Sequence, residues 1–61
     1  MNGQRIRELR ELLGYSQQKF ATELNVGIAT VSRWENGKNQ PSPLAKDKLR
    51  TLEEQLEATV S

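Results

Sequence analysis

The side chains best suited to recognising another molecule lie between Gly27 and Glu35. At about 100° per residue, a helix over this stretch gathers Gly27, Val31 and Trp34 on one side and Ile28, Ala29, Ser32 and Arg33 on the other. A solvated helix face ordinarily carries Lys and Glu. This one carries an Ile, an Ala, a Ser and one Arg, with no acid among them. Such a set suits close approach to a second surface. In the major groove of duplex DNA an apolar side chain meets the thymine methyl, Ser exchanges hydrogen bonds with base edges, and Arg pairs bidentately with guanine O6 and N7. A protein groove would accept the same face, and plain exposure would account for it too, so the face alone leaves all three open.

Other chemistries have little to work with. The 61 residues include no Cys and no His, so disulfides, zinc clusters and imidazole acid–base steps are out of reach. Neither a metal, a cofactor nor an enzymatic activity is expected. Ser16 has no base beside it and reads as a helix cap, not a nucleophile. A chain of this size buries only about 60% of its unfolded surface, which leaves room for one domain, residues 1–61. The longest apolar runs are pairs such as Leu12-Leu13, far short of the roughly 20 residues of a membrane span. Nor does the Met-Asn-Gly-Gln-Arg start contain an apolar signal segment. A soluble, cytoplasmic protein that does not engage a membrane is expected.

Net charge is +1, but the distribution is uneven. All nine Lys and Arg fall within residues 1–50, which sum to +4, whereas residues 51–61 hold Glu53, Glu54 and Glu57 and sum to −3. A basic body with an acidic tail permits a polyanionic partner without requiring one.

The elements that must position the recognition face are helical. Ile6, Leu9 and Leu13 share a stripe over residues 4–13, and Gly14 follows as a C-terminal stop. Ser16 caps a second helix over residues 17–24 with Phe20, Ala21 and Leu24 on its apolar side. Asn25-Val26-Gly27 is a turn whose Asn tolerates positive φ, with Val26 as an apolar plug. The recognition helix, residues 27–35, ends at Asn36-Gly37. After the polar loop 38–41, Ser42 and Pro43 supply the cap and first residue of a fourth helix over about 43–58. No stretch alternates with period two, so the class is all-α.

The run from Tyr15 to Lys38 resembles the helix-turn-helix of the lambda repressor and Cro-like family, also called the xenobiotic-response-element family. It contains, in order, the Ser-Gln opening, the Phe-Ala pair, the Leu-x-Val turn, Val-Ser-Arg-Trp-Glu and the Asn-Gly-Lys exit. The Arg-rich first helix and the Pro-Ser after the loop extend the likeness over most of the chain. The resemblance implies a compact four-helix domain, without the family's fifth helix, that binds double-stranded DNA as a prokaryotic or phage transcriptional regulator, a repressor. It implies base reading by Gln17, Ile28, Ala29, Ser32 and Arg33. Phosphate contacts fall to Gln17, Thr30 and Lys38, with the loop amides from Asn36 through Asn39 to Gln40. Phosphate contacts fix position and base contacts give specificity.

Three positions depart from the family pattern. The turn residue is Asn25 where Gly is usual, Gly27 replaces the Ser or Thr that caps the recognition helix, and Lys19 stands where Glu completes a capping box. A looser start to the recognition helix follows. The apolar pair Ile28 and Ala29 points to modest sequence discrimination or to T-rich sites.

Phe20, Ala21, Leu24, Val26 and Val31 are core residues, and Trp34, on the Val31 side, is a packing residue and not a base-stacking platform. Arg10 leans onto the apolar stripe of the first helix, where an unpaired cation is costly. Glu35 is its natural partner, and the resemblance implies the same structural ion pair. Arg5, Arg7 and Lys48 read as solvated charges before phosphate ligands. On the fourth helix Ala45, Leu49, Leu52 and Leu56 form a short heptad-like seam. Beyond Leu52 that seam either lies on its own domain or makes a homodimer contact through Leu52, Leu56 and Val60. Two rival functions stand beside a regulator. One is an antitoxin or immunity-type subunit that binds both an operator and a protein partner, and the other is a helical protein-interaction module that has lost DNA.

Overall fold

Asn2 starts the first helix: its side chain accepts a hydrogen bond from the Arg5 amide at 2.8 Å. Ser16 does the same for the Lys19 amide at 3.1 Å and Ser42 for the Ala45 amide at 3.3 Å. With these caps in place the computed structural model forms four helices, α1 (Gly3–Leu12), α2 (Gln17–Leu24), α3 (Ile28–Glu35) and α4 (Pro43–Val60). It describes residues 2–60, and side chains over residues 2–58, with no strand among the described residues. The all-α, four-helix expectation holds. Four ends differ slightly: α1 runs Gly3–Leu12 where residues 4–13 were expected, with Leu13 as its C-cap, Gly27 serves as the N-cap of α3 and is not part of it, and α4 continues to Val60.

The first three helices all end in the same way. Tyr15 N donates to Arg10 O while Gly14 N donates to Glu11 O. Val26 pairs with Ala21 and Asn25 with Thr22 in the same pattern, as do Lys38 with Arg33 and Gly37 with Trp34. Each is the paired 6→1 and 5→2 closure of a Schellman motif, which demands a left-handed residue just beyond the helix. Gly14 and Gly37 supply it at φ 75°, and Asn25 supplies it at φ 58°. Asn is the side chain that tolerates this region best, so the usual Gly is dispensable at the turn.

These closures fold the apolar stripes onto one centre. Ile6 and Leu9 of α1, Phe20, Ala21 and Leu24 of α2, Val31 and Trp34 of α3, and Ala45 and Leu49 of α4 are all buried. Ala21 carries only a methyl group at this centre, which lets α2 and α3 pack closely. Val26 packs against the core as a half-buried plug, together with Leu13 and Tyr15. Leu52 and Leu56 also pack there, so the second half of α4 lies on its own domain. The side chain of Val60 is outside the described residues.

One contact is invisible in the sequence pattern. A Cβ on Gly3 would stand 2.7 Å from the carbonyl oxygen of Glu35 and closer still to that of Trp34. The bare backbone at the start of α1 therefore sits directly on the last carbonyls of α3. Both are backbone atoms, so no side chain can rotate away. Gly3→Ala is expected to lower stability by about 1–3 kcal/mol through overpacking. A thermal melt equal to that of the parent would refute the close approach.

Candidate nucleic-acid interface

Packing Val31 and Trp34 inward forces the other side of α3 outward. Ile28 is 44% exposed, an unusual state for so apolar a side chain, and Ala29 and Arg33 are exposed beside it. Thr30 and Ser32 are half-buried at the margins, and Ser32 Oγ accepts a long 3.4 Å hydrogen bond from Asn36 Nδ2. Ile28, Ala29, Ser32 and Arg33 thus share one outward surface. Gly27 gives the first turn of α3 no side-chain cap, so its leading amides keep their capacity to donate to an anion.

The loop after α3 is partly committed to closing the helix. The amides of Asn36, Gly37 and Lys38 donate to Ser32, Trp34 and Arg33 carbonyls at 2.9 to 3.1 Å. That corrects the expectation of an amide cradle running from Asn36 to Gln40. The exposed side chains of Asn36, Lys38, Asn39 and Gln40 are what the loop presents, along with the amides of Asn39 and Gln40.

Beneath this surface lies a buried charge network. Arg10 donates to Glu35 through Nε at 2.7 Å and through its second terminal nitrogen at 3.2 Å, and its other terminal nitrogen donates to the Tyr15 carbonyl at 3.0 Å. The pair expected from the sequence is present and bidentate. Gln17 Nε2 adds a third donor at 3.1 Å and Arg7 Nε a longer one at 3.4 Å. The Gln17 amide was expected at DNA. Its nitrogen faces a carboxylate, which accepts only, so one N–H belongs to Glu35 and the second N–H remains for another acceptor. Nothing in the helical spacing shows this link, because Gln17 and Glu35 sit on different helices.

The Glu35 side chain is only 1% exposed. Burial alone would push its carboxyl up, but hydrogen bonds from Arg10 and Gln17, the Arg10 charge and the Arg7 hydrogen bond outweigh burial and hold it below the usual carboxylate range. The same pairing raises the Arg10 guanidinium. A depressed native value means that the unfolded state binds the proton more readily, so stability is full above the ordinary carboxyl value near pH 4.3 and is lost as pH falls through the native one. The melting temperature should therefore hold from about pH 7 to 5 and fall below that. Glu35→Gln should melt lower at neutral pH and show a shallower acid decline; an equally steep decline would refute the assignment.

The remaining cations divide into two groups. Arg5 donates through Nε to Glu53 at 3.0 Å, tying α1 to α4. Its pKa is raised, first by the hydrogen bond and then by the charge of Glu53. Lys19 pairs with Glu23 at 3.0 Å, and Lys48 Nζ donates to the Leu24 carbonyl at the end of α2 at 3.4 Å. So Arg5, Arg7 and Lys48 are partnered inside the domain and are not plain solvated charges. Arg33, Lys38, Lys46 and Arg50 are exposed and have no acidic partner among the described residues.

Among the described residues there is no side-chain group able to hold a metal ion, and no helix is long and apolar enough to cross a membrane. A family model described as "Helix-turn-helix" matches residues 6–45, well over half the chain, from the stripe of α1 to the first turn of α4. No curated protein and no solved structure gives a significant match. The matched segment holds the α2–turn–α3 unit and the α1 residue Arg10 that braces it through Glu35, and the chain belongs to the helix-turn-helix family of lambda repressor-like DNA-binding domains.

Proposed function

We propose that this protein is a sequence-specific regulator of transcription, a repressor, that lays α3 in the major groove of duplex DNA and braces α2 across the backbone. The observation that carries this reading is the outward face of α3, which is free of acids and bears an Arg33 without a partner among the described residues, where five of the nine cations are paired internally. Ile28 and Ala29 supply apolar contact to thymine methyls, Ser32 a hydroxyl for a base edge, and Arg33 a fork for guanine. Thr30, the free Gln17 N–H, Lys38 and the loop side chains of Asn36, Asn39 and Gln40 hold phosphates. With Arg10 and Glu35 locking the end of α3 to α1, the reading helix arrives as a rigid body, and the ordering left to binding is that of its exposed side chains.

A single domain of this kind buries only about 600–1,000 Å² of its surface on DNA. Useful specificity then calls for two copies on half-sites about 34–36 Å apart. Occupancy of the groove is by itself enough to exclude another protein from the same base pairs. The setting is the cytoplasm of a prokaryotic cell, where DNA is directly accessible.

Binding should be measured by titration of selected duplexes at several salt concentrations. Arg33→Ala is expected to relax preference at one base pair by about 1–3 kcal/mol, while Lys38→Ala weakens all sequences alike and reduces the log–log salt slope by about one. A uniform loss with unchanged ranking for Arg33→Ala would remove it from base reading. Duplex binding that ignores salt would remove the function.

A further inference from the structure

We propose that the groove between the end of α1 and α4 docks a basic, leucine-bearing helical segment of a partner protein. Leu12 is 62% exposed although it ends a helix whose other large apolar side chains are buried or half-buried. With Leu13, Gln55 and Leu56 it lines a groove of about 330 Å³. A second depression shares Leu12 and continues over Glu8 and Glu11. No residue of α3 or of the loop after it lines either depression among the described residues. The surface is therefore separate from the DNA-facing one.

The charge around this groove selects its occupant. The Glu11 carboxylate makes no hydrogen bond or close ion pair among the described residues, although its charge acts on Arg10. Glu8 is held only loosely, by Arg5 at 3.7 Å and Gln4 at 3.4 Å. No cation lines either depression. In a twofold contact between copies the same patch lies on both sides of the seam, and it brings acids and no lining cation to answer them. A segment with Lys or Arg beside its leucines satisfies both parts of the surface. Its leucines fill the floor left by Leu12, Leu13 and Leu56, and its cations meet Glu8 and Glu11, in the manner of an amphipathic helix seated in a groove.

The test uses the whole chain and a synthetic amphipathic Leu/Lys helix of about 15 residues, long enough to present two turns of leucine. Amide chemical-shift mapping should show changes clustered at Leu12, Leu13 and Leu56. Replacing every Lys of the peptide by Glu, or every Leu by Ser, should abolish binding. Leu12→Gln, at an exposed position that the fold tolerates, should weaken the peptide at least about tenfold and leave DNA titrations unchanged. Shifts centred on α3, no binding, or undiminished binding to Leu12→Gln would each overturn the proposal. So would concentration-dependent dimerisation of the chain alone that Leu12→Gln abolishes, since the groove would then belong to a second copy. The peptide and dimerisation readings are obtained without DNA, so their outcome stands apart from the regulatory function.

Discussion

Arg10→Ala should remove about 3–5 kcal/mol of folding stability, the cost of leaving a buried carboxylate without its main partner. A 61-residue domain has about 3–9 kcal/mol in total, so the loss takes at least about a third of it and the variant should melt far below the parent. Gln17 and Arg7 would still donate to Glu35, but one is neutral and the other reaches it only at 3.4 Å. Neither replaces a bidentate guanidinium whose own side chain is 16% exposed. Lost packing and orphaned charge can be separated. Arg10→Met combined with Glu35→Leu removes both charges and keeps the volume, and apolar replacement of a buried pair is often neutral or better. The double variant should recover most of the stability. Urea melts of the two variants decide the matter: equal destabilisation of both would show that the network matters for packing, and an unchanged Arg10→Ala melt would show that it does not matter at all.

The depth to which the sequence could be read follows from the range of each interaction. Caps and stops act within a few residues, so Ser16, Asn25, Asn36-Gly37 and Ser42-Pro43 marked the helices almost to the residue. Burial follows helical phase, which placed Trp34 inward and Ile28 outward correctly. Partnership across the fold leaves no periodic trace. Arg5 and Glu53 are 48 positions apart, and nothing in either helix says that they meet. Only Arg10 was readable, because a cation on an apolar stripe must find an anion somewhere. Gly3 was silent for another reason: a glycine near a helix start is ordinary, and its need appears only when the carbonyls of α3 arrive beside it. Hydrogen-bond supply is equally nonlocal in effect. The loop amides of 36–38 looked available for phosphate until the closure of α3 consumed them.

That same separation between fold and recognition makes Ala29→Glu the most decisive change on the interface. Ala29 is exposed in the first turn of α3, where no acid now stands. A carboxylate there meets the positive end of the helix and should stabilise the fold by about 0.3–1 kcal/mol. If α3 enters the major groove, the same carboxylate is driven among phosphates and base acceptors, where like-charge juxtaposition costs several kcal/mol. DNA affinity should therefore fall at least about 100-fold, roughly 2.7 kcal/mol or more, while the melting temperature holds or rises. The opposite signs carry the argument, because an unfolding artefact would lower both. Ala29→Ser, small and neutral, should keep affinity within a few fold. Measured side by side, a stable Ala29→Glu that still binds duplex DNA like the parent would place the reading surface elsewhere on the molecule.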